Sequence, residues 1–314
     1  MPDFLSRDPA FQESLRIAER AAATSANVLI LGESGTGKSR MARHLHAHGP
    51  RAAGAFVEVA CANVPPELFE SEMFGHEQGA FTDARAARTG KLELAHGGTI
   101  LLDDIQELDL AAQAKLLRAI EEKRFERIGG HATIQVDVRV VASTQANPAS
   151  LVAAGRLRED LLYRLDVLRI EMLPLRQRPA DIRLLAEELV AEIAASHGRG
   201  TPRFAPETLA RLEAHPWPGN VRELRHAIER AVVLSAADVL LPDDLPDAFS
   251  IAGTSMILDA ADRELSLAEL ERAYILEVLR KSRGNKSAAA RVLGIHRKTL
   301  HEKLRAFAIE TDGA

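Results

Sequence analysis

The stretch Gly32-Glu33-Ser34-Gly35-Thr36-Gly37-Lys38-Ser39 constrains this chain more than any other. It has the glycine, lysine and hydroxyl spacing of a phosphate-binding loop, and it directly follows the apolar run Val28-Leu29-Ile30-Leu31, as a loop leaving a buried strand should. Glycines let the backbone turn with its N–H groups facing inward, and the helix that starts there adds the positive end of its dipole. Lys38 is placed to reach the outer phosphates and Ser39 to hold a magnesium ion. The stretch therefore reads as a nucleoside triphosphate site.

Such a loop needs an acidic partner at the tip of a neighbouring strand, and Ile100-Leu101-Leu102-Asp103-Asp104 supplies it. One carboxylate, Asp103, can hold the metal while the next, Asp104, orients the attacking water.

Further apolar runs at 56–60, 99–102, 138–142 and 168–170 alternate with helical patterns such as 111–125. That alternation predicts an α/β fold, a parallel sheet with helices on both faces. From Leu173 strand signals stop, and 181–196, 206–215 and 220–236 have helical period, which predicts a small all-helical subdomain. Asn220 followed by Glu223 reads as a capping box after the Pro216-Trp217-Pro218-Gly219 turn. Between 237 and 264, seven acids face Arg263 alone, and two prolines interrupt the chain, so this stretch reads as a linker. The expected division is 1–172, 173–236, an acidic linker 237–266 and a C-terminal unit 267–314.

The overall charge of −5 says little about partners, but its distribution does. From Arg280 to Arg305 nine basic residues stand against Glu302 alone, which points to nucleic acid. Within this region 286–293 predicts a short alanine-rich helix, Gly294 a turn, and 296–307 a second helix with Leu300 and Leu304 inward. Arg297, Lys298, Thr299, His301 and Lys303 are then the residues for the major groove and phosphates of double-stranded DNA, as in a helix-turn-helix.

Cys61 is the only cysteine, so no intramolecular disulfide can form. The N-terminus has no signal-peptide pattern, and no stretch approaches the ~20 apolar residues of a spanning helix. A cytoplasmic protein with no membrane partner is expected.

Several motifs then converge. Residues 70–77, Glu-Ser-Glu-Met-Phe-Gly-His-Glu, and Gly79-Ala80-Phe81-Thr82-Asp83-Ala84 resemble the signature of bacterial enhancer-binding proteins, the AAA+ activators of sigma-54 RNA polymerase. Residues 155–165 and Trp217-Pro218-Gly219-Asn220-Val221-Arg222-Glu223-Leu224 resemble its other blocks, in family order, and the C-terminal unit resembles a Fis-type DNA-binding domain.

The resemblance implies an ATPase with ATP and magnesium as cofactors, working as a homo-oligomer, from dimer to hexameric ring. In it Arg158 and Arg164 match the arginine fingers offered to a neighbouring subunit, Thr144 the first sensor and Arg222 the second, on a helical lid. The loop from Gly79 to Ala84 matches the sigma-54 contact, raised by hydrolysis to remodel the closed promoter complex, with a second loop at 128–133 assisting. The expected function is ATP-driven opening of sigma-54 promoters by the polymerase holoenzyme, from an upstream site bound by the C-terminal unit.

The chain departs from the family at Asp83, where a glycine is usual, and at Asp104, Ala60 and Gln145. Asp104 replaces a glutamate, Ala60 an asparagine that restrains it, and Gln145 another asparagine. Slower turnover is expected from the shorter acid, and these last three changes are expected to be coupled, the restraining amide having been dropped. Two other readings stand beside the main one. In the first, a DNA-bound regulator or repressor uses ATP mainly as an oligomerisation switch. In the second, the chain is a P-loop helicase or unfoldase, which leaves the loop around Phe81 without a role. The short stretch ahead of Gly32 leaves no room for a receiver or ligand-sensing domain, so control is expected from a partner in trans, from expression level or from a further part of the protein.

Overall fold

The computed structural model describes residues 4–63, 66–81, 84, 86–235, 237–246, 266–281, 286–295 and 297–306. They form two compact units, 1–245 and 246–314.

In the first unit, strands β1 (Val28–Leu31), β2 (Phe56–Ala60), β5 (Thr99–Asp103), β8 (Arg139–Thr144) and β9 (Leu168–Glu171) make one parallel sheet in the order β2-β5-β8-β1-β9. Every pairing is parallel, with Leu31 opposite Thr144 and Ala60 opposite Asp103. The strand period of two sorts alternate side chains to opposite faces. Leu29, Ile100, Leu102, Val140 and Ala142 enter one apolar cluster, whereas Val28, Ile30, Leu101 and Val141 enter another.

Helices cover each face. Phe11 and Ala18 of α1 (Pro9–Ala22) and Met41 and Leu45 of α2 (Lys38–Ala47) complete the second cluster. Phe69 and Met73 of α3 (Pro66–Phe74), Leu116 of α5 (Leu110–Glu122) and Leu161 of α7 (Glu159–Leu165) complete the first. The short helices α4 (Lys91–Leu94) and α6 (Pro148–Ala153) close the gaps between them.

Arg139 opens β8 yet is only 1% exposed. Its guanidinium donates to the carbonyls of Ala21 (2.7 Å), Ala22, Ala26 and Leu45 (3.3 Å), so it closes the C-terminal ends of α1 and α2 under the sheet. Helix ends leave such carbonyls without intrahelical partners.

Two short antiparallel pairs, β3 (Gly75–His76) with β4 (Arg88–Thr89) and β6 (Arg124–Glu126) with β7 (Thr133–Gln135), project from the sheet. The lid is built of α8 (Pro179–Ser196), α9 (Pro206–Ala214) and α10 (Asn220–Leu234). The expectation that strands end at Leu173 is corrected here, because β10 (Arg203–Phe204) pairs in parallel with β11 (Val239–Leu240). Two residues are too few to show an alternation in sequence.

In the second unit, α11 (Leu267–Lys281), α12 (Lys286–Val292) and α13 (Arg297–Ala306) close on Ile275, Val278, Leu279, Ala289, Ala290, Leu300 and Leu304. Gly294, at φ 66°, takes the left-handed turn after α12. Ser266 and Glu269 form a reciprocal cap on α11, with Ser266 N–H to Glu269 Oε2 at 2.8 Å and Glu269 N–H to Ser266 Oγ at 3.3 Å. Of the predicted linker 237–266, the start carries β11 and lies within the first unit to Leu245, whereas 247–265 lies outside the described residues. Among the described residues no helix is long and apolar enough to cross a membrane.

Candidate nucleotide site

The loop 32–37 leaves β1 beside the end of β8, anchored by Gly32 N–H on Thr144 O at 3.2 Å. Gly35 (φ 77°) and Gly37 (φ 102°) are left-handed, and Gly35 admits no side chain, since a Cβ there would lie 2.2 Å from Gly219 O of the lid. Thr36 Oγ donates to Glu33 O at 2.8 Å, closing the turn. Lys38 is buried, and its ammonium donates to the loop carbonyls of Gly32 (2.9 Å) and Glu33 (3.3 Å). Burial lowers its pKa below that of a free lysine, against the pull of Asp104 and Asp103.

The acids meet the loop from β5. Asp103 accepts from Ser39 Oγ at 3.2 Å and from Ser143 Oγ. Asp104 follows in a left-handed conformation (φ 58°), with its N–H on Ser143 Oγ at 3.1 Å. Gln145 Nε2 donates to Asp104 Oδ2 at 3.0 Å. Asp104 Oδ1 is buried without a hydrogen-bond donor and lies 4.0 Å from Lys38 Nζ. Thr144 is fully buried at the end of β8, its hydroxyl 3.4 Å from Ala146 O.

The lid closes the other side. Arg222 donates from Nη1 to Ser34 Oγ at 2.8 Å and from its backbone to Gly35 O at 3.3 Å. Asn220, left-handed at φ 54°, donates to Ser34 O (3.0 Å) and Glu33 Oε2 (3.2 Å) and accepts from Leu175 N–H at 2.8 Å. The expected capping box is therefore corrected. Glu223 accepts from Gly219 N–H at 2.8 Å, but the Asn220 amide is turned to the loop rather than to its own helix. Arg176 pairs with Glu33 at 2.7 Å and, as the main cause, holds that carboxyl below its usual range. Sequence reasoning missed Asn220 and Arg176 as loop contacts. Asparagine's tolerance of left-handed backbone was the one available signal for the first.

These groups fit a triphosphate. The glycines keep the cradle free of side chains, the lysine is satisfied by carbonyls it can exchange, and one carboxylate oxygen opposite it has no donor. Ser39 and Asp103 add the oxygen ligands that a hard divalent cation takes.

The remaining predicted residues lie elsewhere. Arg158 is bound to Asp160 at 2.7 Å at the start of α7, and Arg164 is exposed in its last turn. Phe81 is 39% exposed and rests edge-on against His76, with ring centroids 5.0 Å apart. Gly79 N–H donates to Ala84 O at 2.9 Å, which closes this loop; Thr82 and Asp83 lie outside the described residues. The hairpin β6–β7 is joined to its base: Glu77 N–H donates to Ile128 O and Ile128 N–H to Gly75 O, both at 3.0 Å. Ala80 packs so close to Gly129 that a Cβ there would meet it at 2.7 Å. In the second unit Arg297 and Lys298 are exposed and Thr299 is half-buried, whereas Lys303 is paired with Glu271 at 2.6 Å. The side chain of His301 is outside the described set.

Comparison with known proteins identifies the family. Residues 4–171 match the sigma-54 interaction domain, 176–258 the AAA+ ATPase lid domain, and 266–307 the Fis family of bacterial regulatory proteins. The chain is 44% identical to the transcriptional regulatory protein FlbD of Caulobacter vibrioides, over 96% of this chain and 69% of that protein. To the DNA-binding transcriptional regulator NtrC of Salmonella typhimurium it is 40% identical, over 98% of this chain and 71% of that one. NtrX from Brucella abortus, solved with ATP, superposes with a TM-score of 0.74 at 34% identity, covering 97% of this chain and 69% of the other. The chain belongs to the sigma-54-dependent, NtrC-type family of AAA+ transcriptional activators, with a lid domain and a Fis-type helix-turn-helix.

Proposed function

We propose that this protein binds upstream DNA through its C-terminal unit and uses ATP hydrolysis to drive the sigma-54 polymerase from the closed to the open promoter complex. The carrying observation is that one cradle joins the loop, the acid pair and the lid: Lys38, Asp104 and Arg222 all converge on residues 32–38.

In this reading Lys38 exchanges its loop carbonyls for the outer phosphates, which the backbone N–H groups of 32–38 also bind. Ser39 and Asp103 hold magnesium, which when bound neutralises charge on the phosphates. Asp104 offers its unpaired Oδ1 to the attacking water. Thr144, under the end of β8, reports the state of the acids to the sheet. Arg222 ties the lid to Ser34 and follows the filling of the cradle.

Arg158, at the N-cap of α7, and Arg164, exposed in its last turn, reach toward the site of a neighbouring subunit in a homo-oligomeric ring. For Arg158 to act there it exchanges Asp160 for phosphate, which an exposed pair gives up at little cost. Loop residues Gly79, Ala80, Phe81, Thr82, Asp83 and Ala84 contact sigma-54, and Phe81 supplies the apolar tip. Because the loop base is bonded to the β6–β7 hairpin, the two move as one element. Arg297, Lys298, Thr299, His301 and Lys303 face DNA, with Lys303 leaving Glu271 for phosphate. The working division is a body at 1–172, a lid from 173 whose last strand carries it past 236 to Leu245, a linker to 266 and a DNA-binding unit at 267–314, and a reducing cytoplasm suits the lone Cys61.

The test is ATP turnover across protein concentration, with and without sigma-54, alongside open-complex formation on a sigma-54 promoter. Specific activity should rise with concentration, and promoter opening should require ATP. Turnover without promoter opening would overturn the activator reading.

A further inference from the structure

We propose that Gln113 is a positioning residue for the arginine finger, its buried amide fixing the backbone from which Arg158 is offered to a neighbouring subunit. This rests on the reading of Arg158 as the finger.

A glutamine inside a fold has to find partners for two N–H donors and a carbonyl oxygen, or its burial is destabilising. Gln113, near the start of α5, is fully buried, and backbone outside its own helix meets each of those needs. Nε2 donates to Leu108 O at 2.8 Å and to Arg156 O at 2.9 Å, while Oε1 accepts from Arg158 N–H at 2.9 Å. Two of the three bonds therefore fall on the turn that leads into α7.

That turn, 154–157, belongs to neither α6 nor α7. Gly155, left-handed at φ 67°, reverses the chain, and Leu157 enters the apolar cluster that holds Leu116 and Leu161. Arg158 follows as the N-cap of α7, with no side-chain cap of its own. Its backbone is held from both ends, the N–H by Gln113 and the carbonyl by Leu162 N–H at 3.0 Å. The guanidinium, by contrast, is held by the exposed pair with Asp160, which is weak. A fixed root with an exchangeable tip is what a group lent to another subunit needs. The same amide reaches back to Leu108, four residues after Asp104. One side chain thus joins the segment that follows a subunit's own acids to the segment that carries the finger.

The experiment uses the full chain as Gln113→Met, which keeps the length of the side chain without its hydrogen bonds, and as Gln113→Asn, whose amide stops one methylene short. It reads binding of a fluorescent ATP analogue and ATP turnover, alone and in equal mixtures. One mixing partner is Asp104→Asn, which has the finger without the acid, and the other is Arg158→Ala, which has the acid without the finger. Alone, each Gln113 variant should bind the analogue as wild type does and turn over about ten-fold more slowly, as expected for a slightly misplaced group. With Asp104→Asn it should recover to about a quarter of the wild-type rate, because the well-placed finger of one subunit then meets the intact acid of the other. With Arg158→Ala it should stay at the average of the two, since neither offers a working finger. Recovery with Arg158→Ala would place the damage in the variant's own acid site and overturn the proposal. So would turnover near wild type by both variants alone, a Kd weakened by the same factor as turnover falls, or no recovery with Asp104→Asn. Failure of Asp104→Asn and Arg158→Ala to repair one another would instead overturn the finger reading itself.

Discussion

At the scale of single residues, the site's chemistry depends on what each group is denied. Cys61 follows β2 directly beneath the acids and is 2% exposed; burial first, and the charges of Asp103 and Asp104 next, push its thiol up to about 12. Thiolate is the reactive form. Native protein at pH 8 should therefore resist iodoacetamide, with alkylation at Cys61 appearing in mass spectra only after denaturation. Gly35 is denied a side chain by both its φ of 77° and the lid carbonyl 2.2 Å from where a Cβ would stand. Gly35→Ala should push Gly219 away, separate Arg222 from Ser34, and weaken ATP binding by about ten-fold or more, measurable by titration with a fluorescent analogue. The glycine pattern made the loop legible in sequence. It did not reveal that one of those glycines is required by the lid rather than by phosphate.

Among elements, the sheet holds the site through a few polar side chains that the hydrophobic pattern does not encode. Arg139 satisfies carbonyls at the ends of α1 and α2 from inside the fold, and burial lowers its pKa without neutralising it. Arg139→Met should cost about 3 kcal/mol or more in urea unfolding, because it orphans several buried carbonyls at once. The lid is joined to the loop by Glu33 with Arg176, a half-exposed pair worth about 0.5 kcal/mol. Its sign in pH follows from the lowered carboxyl: the contribution is full above the ordinary Glu value of 4.5 and is lost as pH falls through the lower folded value. The Tm difference between wild type and Glu33→Gln should hold steady at neutral pH and close in the acid range below 4.5. Periodicity made the five parallel strands and the lid helices legible, because each exceeds one full repeat of its pattern. The strand pairs of two or three residues were not, nor was Asn220, whose role depends on a loop 186 residues away along the chain. Gln145 was visible as a departure, but only the register of β5 and β8 shows which acid its amide meets.

For the whole molecule, the two compact units separate the nucleotide site, whose residues all lie in the first, from the Fis-type helical unit. The guanidinium of Arg158 is engaged with Asp160, on a helix whose exposed face also carries Arg164 and a Tyr163 that is 75% exposed. If the proposed ring forms, each working site takes its loop and acids from one subunit and its finger from the next. Two defective proteins can then repair one another. Asp104→Asn keeps the cradle and the finger but loses the water-orienting acid. Arg158→Ala keeps the acid and loses the finger. Each should hydrolyse ATP at a small fraction of the wild-type rate. An equal mixture creates interfaces in which the intact acid of one subunit meets the intact finger of the other, and random assembly predicts about a quarter of wild-type turnover. The recovery should grow with total protein concentration and vanish on dilution, since it depends on association. A mixture no faster than the average of its components would exclude a shared site and leave Arg158 as a partner of Asp160 only.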